Sequence, residues 1–213
     1  MDLIADKQCI IFDMDGVLVQ SSAIHGEAFS QVFQSLGLLP VDYREIAGQR
    51  TDEVFREVLT RYKHPYTESL ISELTQQKRR LVHQLSGGRL PLAPGAVQVV
   101  KQLATRHKLA LASSASTNNI NQFLEESLLA GFFEVVIHGE EVSEAKPAPA
   151  IYQLTCNRLD CSTDQCCVIE DSHSGIKAAK AAGLDVVAVV GTLLEQDLLT
   201  YDIPIIHSLN ELI

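Results

Sequence analysis

Long apolar runs are missing from this 213-residue chain. No stretch approaches the roughly 20 residues a helix needs to cross a bilayer, so a helical integral membrane protein is excluded. An excess of basic residues is missing too. Lysine and arginine total 17 against 27 aspartates and glutamates, a formal charge of −10. That balance argues against a general binder of nucleic acid or anionic membrane and leaves small polar or phosphorylated partners open. The opening "MDLIADKQ" lacks the basic-then-apolar order of a secretory signal, so the expected location is the cytoplasm. There is no internal repeat and no low-complexity tract. Cysteine is sparse and odd in number: Cys9, Cys156, Cys161, Cys166 and Cys167 make five. In a chain with no secretory signal this favours reduced thiols over a disulfide framework. The segment "CNRLDCSTDQCC" contains no C-x-x-C knuckle, and Cys166 and Cys167 would face opposite ways at the start of a strand, so structural zinc is not expected.

What is present is an ordinary globular composition, 46% hydrophobic and 21% charged, long enough to bury a substantial core. Strand-length apolar runs end at Asp13 and recur at "KLALAS", "FEVVIH", "CCVIED", "DVVAVV" and "IPIIH". Helical patterns lie between the later ones, at "PGAVQVVKQLATRH", "TNNINQFLEES", "PAPAIYQLTCNRL" and "SHSGIKAAKAAG", with Gly183 placed to stop the last. Near-continuous apolar strands alternating with amphipathic helices predict an α/β fold, a doubly wound parallel sheet covered on both faces. Residues 22 to 86 break the alternation, for they hold helical patterns and no buried strand. In "TESLISELTQQKRRLVHQL" the residues Leu70, Leu74, Leu81 and Leu85 are expected to share one face. The chain therefore divides into an α/β core of residues 1–20 and 87–213 and an inserted helical domain of residues 21–86. The exits at "VQSS" and "SGGRLPLAPG" have the composition of hinges.

In open parallel sheets, ligands bind beyond the carboxyl ends of the strands. Four groups of residues are placed there: Asp13 and Asp15 in "DMDG", Ser113 and Ser114, Lys146 in "EAKPAP", and Glu170 and Asp171. Taken singly, these are an Asp-Gly turn, a helix cap and a surface lysine. Together they are a site. Four carboxylates in one crevice repel one another, and a hard divalent cation with oxygen ligands relieves that repulsion. Magnesium suits a site with so few protein ligands, because it keeps waters and binds substrate phosphate. Lys146 and Ser113 add donors for phosphate oxygens.

The ordered set DxDGxL, SS, KPxP and EDSxxG resembles the haloacid-dehalogenase-like superfamily, over the whole chain. Within it, "DMDGVLVQSSAIH", "LALASSAS", "AKPAPAIY" and "IEDSHSGIKAAKAAG" are most similar to the beta-phosphoglucomutase and sugar-phosphate phosphatase group. The helical insertion resembles that family's small cap domain. The resemblance implies that Asp13 attacks phosphorus to form an aspartyl-phosphate, and that Asp15 serves as acid and then base. It implies that magnesium is held by Asp13, the Asp15 carbonyl and Asp171, with Glu170 as ligand or support, and that Ser113, Ser114 and Lys146 bind the phosphoryl group. The superfamily's dehalogenases use one aspartate without a second carboxylate two positions on and work without metal, so dehalogenation is not the expected reaction. Loss of a core motif residue would have indicated an inactive binding module; none is lost.

Further candidates come partly from the same resemblance and partly from the residues themselves. His25 is a hinge or proton-relay residue or a buried helix histidine. Gly48 and Arg50 lie in "GQRTDE", which resembles the cap loop that reaches substrate in relatives, and Arg50 either grips a phosphate or hydroxyl-rich group or is solvated. Lys78 either faces the cleft or joins Arg79 and Arg80 on a solvated face. His173 is expected to start a helix. The expected activity is hydrolysis of a small phosphorylated metabolite, a sugar or polyol phosphate, by a monomer or weak oligomer. The alternative is a beta-phosphoglucomutase-type mutase. Gln20, Thr51 and Ser116 depart from the mutase pattern, which favours water as acceptor.

Overall fold

The computed structural model describes residues 3–213. Its first strand, β1 (Cys9–Phe12), has all four residues buried, which is the burial of a strand with neighbours on both edges and cover on both faces. Parallel partners flank it: β2 (Lys108–Ser113) on one side and β4 (Cys166–Glu170) on the other. With β3 (Val135–His138), β5 (Asp185–Val189) and the short β6 (Ile205–Ile206), the order is β3-β2-β1-β4-β5-β6 and every pairing is parallel. The chain winds outward from β1 first one way and then the other. The carboxyl end of β1 is therefore the point where strand order reverses, the place where such sheets leave a crevice.

Alternation along each strand feeds two cores. Ile10, Phe12, Leu109, Leu111 and Ile169 meet α5 (Ala96–Leu103) and α6 (Thr117–Ser127) on one face. Ile11, Ala110, Ala112 and Val168 meet α7 (Ala150–Leu159) and α8 (His173–Ala181) on the other. A last short helix, α9 (Glu195–Leu198), packs Leu198 into this second core. No helix among the described residues is long and apolar enough to cross a membrane.

The helices α1 (Ser22–Ser35), α2 (Tyr43–Ile46), α3 (Thr51–Arg61) and α4 (Glu68–Leu85) close around a third apolar cluster of their own. Phe29, Phe33 and Phe55 sit at its centre with ring centroids 5.5 to 5.9 Å apart. Asp42 caps α2 and Thr67 caps α4 by accepting backbone N–H groups. The chain enters and leaves this body side by side: Gln20 N–H donates to Pro91 O and Ala93 N–H to Leu18 O, so the two connections form one ribbon.

Two expectations are corrected. The buried line of α4 is Ile71, Leu74, Thr75 and Lys78, an i, i+3, i+4, i+7 set, with Leu70 and Leu81 at its rim. Leu85, on the final turn past the end of that line, is 42% exposed. The cysteines are not all free thiols either. Cys9 is joined to Cys161, 152 residues away, because the fold lays the start of β1 beside the turn that follows α7.

Leu74→Ala should cost about 2–5 kcal/mol of unfolding free energy, as a buried leucine truncation does, and Leu85→Ala within about 0.5 kcal/mol of nothing. Denaturant melts of the two variants check the buried face of α4.

Candidate active site

Asp13 is the first residue past β1, anchored by its N–H to Ile169 O at 3.0 Å. The chain then turns through Met14, whose carbonyl accepts from both Leu18 and Val19. Gly16 takes φ +89°, and a Cβ there would run into the Asp171 carboxylate, so the turn can approach the end of β4 only with glycine at this position. Ser113 ends β2, buried, its hydroxyl accepting from Ala115 N–H at 3.1 Å.

Lys146 arrives from the loop beyond β3 and is 1% exposed. Its ammonium donates to Asp13 Oδ1 at 2.6 Å and to Glu170 Oε1 at 2.8 Å. Glu170 is saturated: Oε1 also accepts from Tyr152 at 2.9 Å, and Oε2 from the N–H groups of Asp171 and Ser172 and from the Ser172 hydroxyl. Burial pushes its carboxyl up, but the Lys146 charge and these donors outweigh burial and hold it low. Asp13 goes the other way. Burial raises it to about 7, with Glu170 adding repulsion and Lys146 only partly offsetting both. Asp171, buried beside Glu170 and Asp13, is pushed well up for the same reasons, although Thr192 donates to its Oδ2.

Oxygens of Asp13, Glu170 and Asp171 lie within 4.8 Å of one another, all buried. Three carboxylates share one ammonium, and the two that Glu170's network leaves under-compensated have their pKa raised. An all-oxygen donor set with surplus negative charge fits a hard divalent cation, magnesium first. Asp13 and Asp171 are the carboxylates with capacity for it. The Asp15 carboxylate does not join them; it turns to Ser21 Oγ at 2.5 Å and His25 Nε2 at 3.3 Å.

The helical body closes over this floor. His25, on the first turn of α1, places Nδ1 2.6 Å from Lys78 Nζ. Lys78 is buried, 4.6 Å from the centre of the Phe29 ring. Burial brings its ammonium down to about 8, against the pull of Asp15. Burial and the Lys78 charge push the His25 pKa down, so the ring is neutral, donates from Nε2 to Asp15 and accepts from Lys78 at Nδ1. Burial raises Asp15, but the hydrogen bonds from His25 and Ser21 and the Lys78 charge outweigh it and hold the carboxyl below the usual carboxylate range. Of the three-residue basic run, Lys78 faces the cleft, where Arg79 also lines the wall.

Ser114, expected beside phosphate, donates to Gly48 O at 2.6 Å, tying β2's end to the helical body. Gly48 has φ +76°, and a Cβ there would strike the hydroxyls of Ser172 and Ser174. Arg50 lines the cleft with four of its five N–H donors engaged, by Asp52 and Glu53 at 2.8 and 2.9 Å and by the carbonyls of Gly139 and Val142 at 3.3 and 3.1 Å. It clasps body to body. His173 starts α8 and pairs with Tyr201, away from the cleft walls. Sequence reasoning missed Tyr152, Thr192 and Ser21. Tyr152 carried a faint signal, lying on the helix that Pro147 introduces; Thr192 carried none.

The raised Asp13 has a thermodynamic consequence without metal. Below about pH 4 the carboxyl is protonated in both folded and unfolded chains. As pH rises to about 7 the unfolded chain releases a proton that the fold retains, so stability falls through that window and stays lower above it. Metal-free Asp13→Asn should therefore lose less melting temperature between about pH 5 and 8 than the parent, and excess magnesium should flatten the parent's decline. Thermal melts across pH, with and without magnesium, test both.

Several comparisons with known proteins agree with this geometry. Residues 10–189 match the model of the haloacid dehalogenase-like hydrolases. The chain is 32% identical to a phosphorylated carbohydrates phosphatase of Thermotoga maritima, over 84% of this chain and 82% of that protein. The crystal structure of CbbY from Rhodobacter sphaeroides in complex with phosphate superimposes with a TM-score of 0.76 at 27% identity, covering 97% of this chain and 96% of that one. A beta-phosphoglucomutase from Clostridium difficile shares the fold at 21% identity, with a TM-score of 0.84 over 97% of this chain and 93% of that one. With an ordered set of acidic, serine and lysine motifs gathered at one sheet edge and a family match spanning most of its length, the chain belongs to the haloacid dehalogenase-like hydrolases.

Proposed function

We propose that the protein is a magnesium-dependent phosphatase of a small phosphorylated metabolite, a sugar or polyol phosphate, acting through an aspartyl-phosphate on Asp13. The observation that carries this reading is the Asp13 carboxylate itself. Lys146 takes Oδ1, while Oδ2 meets no hydrogen-bond donor among the described residues. One oxygen is steadied and the other is available for attack on phosphorus. Magnesium, held by Asp13 and Asp171, would neutralise charge on the transferring phosphoryl group. Lys146 and Ser113 border the place where that group's oxygens would lie. Glu170 positions Lys146 and remains outside the reaction.

Asp15 is two residues beyond the nucleophile with its own proton relay. Ionised, it is ready to take a proton from an attacking water; the neutral His25 and the Lys78 ammonium behind it offer a route by which a proton returns to it for the leaving oxygen. Residues 21–86 would act as the cap that admits substrate and excludes water, pivoting on the ribbon at Gln20 and Pro91. The relatives named as acting on phosphorylated carbohydrate support the substrate class.

Hydrolysis is preferred over mutase chemistry because Gln20, Thr51 and Ser116 depart from the mutase pattern, and because Asp52, Glu53 and two carbonyls occupy four of the five N–H donors of Arg50, leaving a single one for a second phosphate. Magnesium should support phosphate release from sugar phosphates, chelation should abolish it, and Asp13→Asn should lower kcat by at least about 10³-fold with the fold intact. Acid-quenched protein should carry label from a radiolabelled phosphate donor on Asp13. Absence of release across a panel of esters would remove the phosphatase reading. Glucose 1-phosphate supplied with a bisphosphate primer separates the alternative: free phosphate is expected, and formation of glucose 6-phosphate without it would establish a mutase.

A further inference from the structure

Three cysteines, Cys9, Cys161 and Cys166, meet at the end of the sheet opposite the proposed active site, and a fourth, Cys156, adjoins Cys166. Cys9 opens β1 and Cys166 opens β4, and the parallel register sets them directly side by side. Both point to the face covered by α7, whereas Cys167 belongs to the other core. Cys156 descends from α7 to bring its Sγ within 3.9 Å of the Cys166 Sγ. Cys161 follows the left-handed turn at Asp160 and reaches Cys9. The sulfurs of Cys9, Cys161 and Cys166 all lie within 4.8 Å of one another, and Cys156, outside that group, joins it through Cys166, so a four-sulfur site needs the Cys156 side chain to swing toward the other two. A lone disulfide accounts for two of these residues and leaves the Cys156 and Cys166 pair beside it unexplained.

Tetrahedral zinc with Zn–S bonds of about 2.3 Å separates its sulfurs by about 3.8 Å. The Cys156–Cys166 contact already has that length. The Cα atoms of Cys9 and Cys161 are 7.1 Å apart, wide for two directly bonded sulfurs and suited to two thiolates with an ion between them. The donors are all sulfur, so the site selects a soft or borderline ion and rejects the magnesium that suits the carboxylates. Cys161 is only partly buried and provides the way in.

We propose that the reduced chain binds one thiophilic metal ion, zinc, through Cys9, Cys156, Cys161 and Cys166, and that the Cys9–Cys161 disulfide is the oxidised, metal-free form of the same site. Reduction breaks the S–S bond with two electrons and two protons and leaves two thiols: a dithiol supplies both and closes to its own disulfide, whereas a phosphine supplies the electrons and becomes its oxide by taking oxygen from water, which supplies the protons. Zinc then displaces the thiol protons to solvent as each sulfur binds as thiolate. The ion would pin β1, β4 and the end of α7 together where the sheet begins, leaving the catalytic edge free.

The full chain, purified under a phosphine with zinc supplied and then dialysed, should retain one zinc per chain by elemental analysis. Cobalt in its place should show thiolate-to-metal charge transfer and the strong visible bands of a tetrahedral site. Cys156→Ser and Cys166→Ser should each lose most of that metal; Cys167→Ser and Asp13→Asn should keep it, which separates this site from the carboxylates and from phosphatase activity. If the reduced chain stays metal-free, or if the Cys156 and Cys166 variants retain full zinc, the proposal fails. Should a variant not fold, the cobalt spectrum of the unsubstituted chain decides, and absence of the charge-transfer band refutes it.

Discussion

The molecule depends on one buried ammonium. Lys146 is withdrawn from water at the carboxyl edge of the sheet and bridges Asp13 to Glu170. An unpaired ammonium in that position would be costly, and so would either carboxylate alone. Glu170 spends both oxygens on Lys146, Tyr152 and the turn into α8, so the lysine's place is set by the rigid parts of the sheet. What remains under-compensated is concentrated on Asp13 and Asp171. The pocket floor thus carries more negative charge than its donors compensate, arranged so that one Asp13 oxygen is steadied by Lys146 and the other meets no donor among the described residues.

The helical body completes the site by two kinds of contact. One is a chain of polar groups, Lys78 to His25 to Asp15, that sets the protonation of the second aspartate from across the cleft. The other is a clasp in which Ser114 and Ser174 donate to the carbonyls of Gly48 and Ala47, and Arg50 donates to those of Gly139 and Val142. These side-chain-to-carbonyl bonds carry no requirement for substrate. They fix where the second body rests, and they occupy most of the Arg50 guanidinium. Thr192 adds a further link between floor and helical body, since it bonds to both Asp171 and Ser22.

Much of this was legible beforehand because the relevant signals are local. Apolar runs bounded by Asp, Ser or Glu specify strands and name the residues that finish them, and strand ends in a parallel sheet point to one edge. The positions of Asp13, Ser113, Lys146, Glu170 and Asp171 follow from that rule together with the resemblance. Helix faces were read less well. In α4 the leucines at 70, 74, 81 and 85 made a plausible stripe, yet the buried line runs through Ile71, Thr75 and Lys78, where a lysine and a threonine hide the periodicity. The cysteines are illegible for a different reason: spacing along one segment says nothing of Cys9, which the register of β1 against β4 brings to the others.

By itself the sequence determined the layered α/β architecture, the insertion of a helical body after the first strand and the set of acidic, hydroxyl and ammonium groups at the sheet edge, because periodicity and strand termini are properties of neighbouring residues. Only the tertiary structure decided which groups touch. It gave Glu170 to Lys146 and Tyr152, turned Asp15 toward His25, engaged Arg50 in a clasp, and collected four sulfurs at the far end. Those outcomes rest on register, crossover and burial, which are set when distant segments pack and leave no mark in the local order of residues.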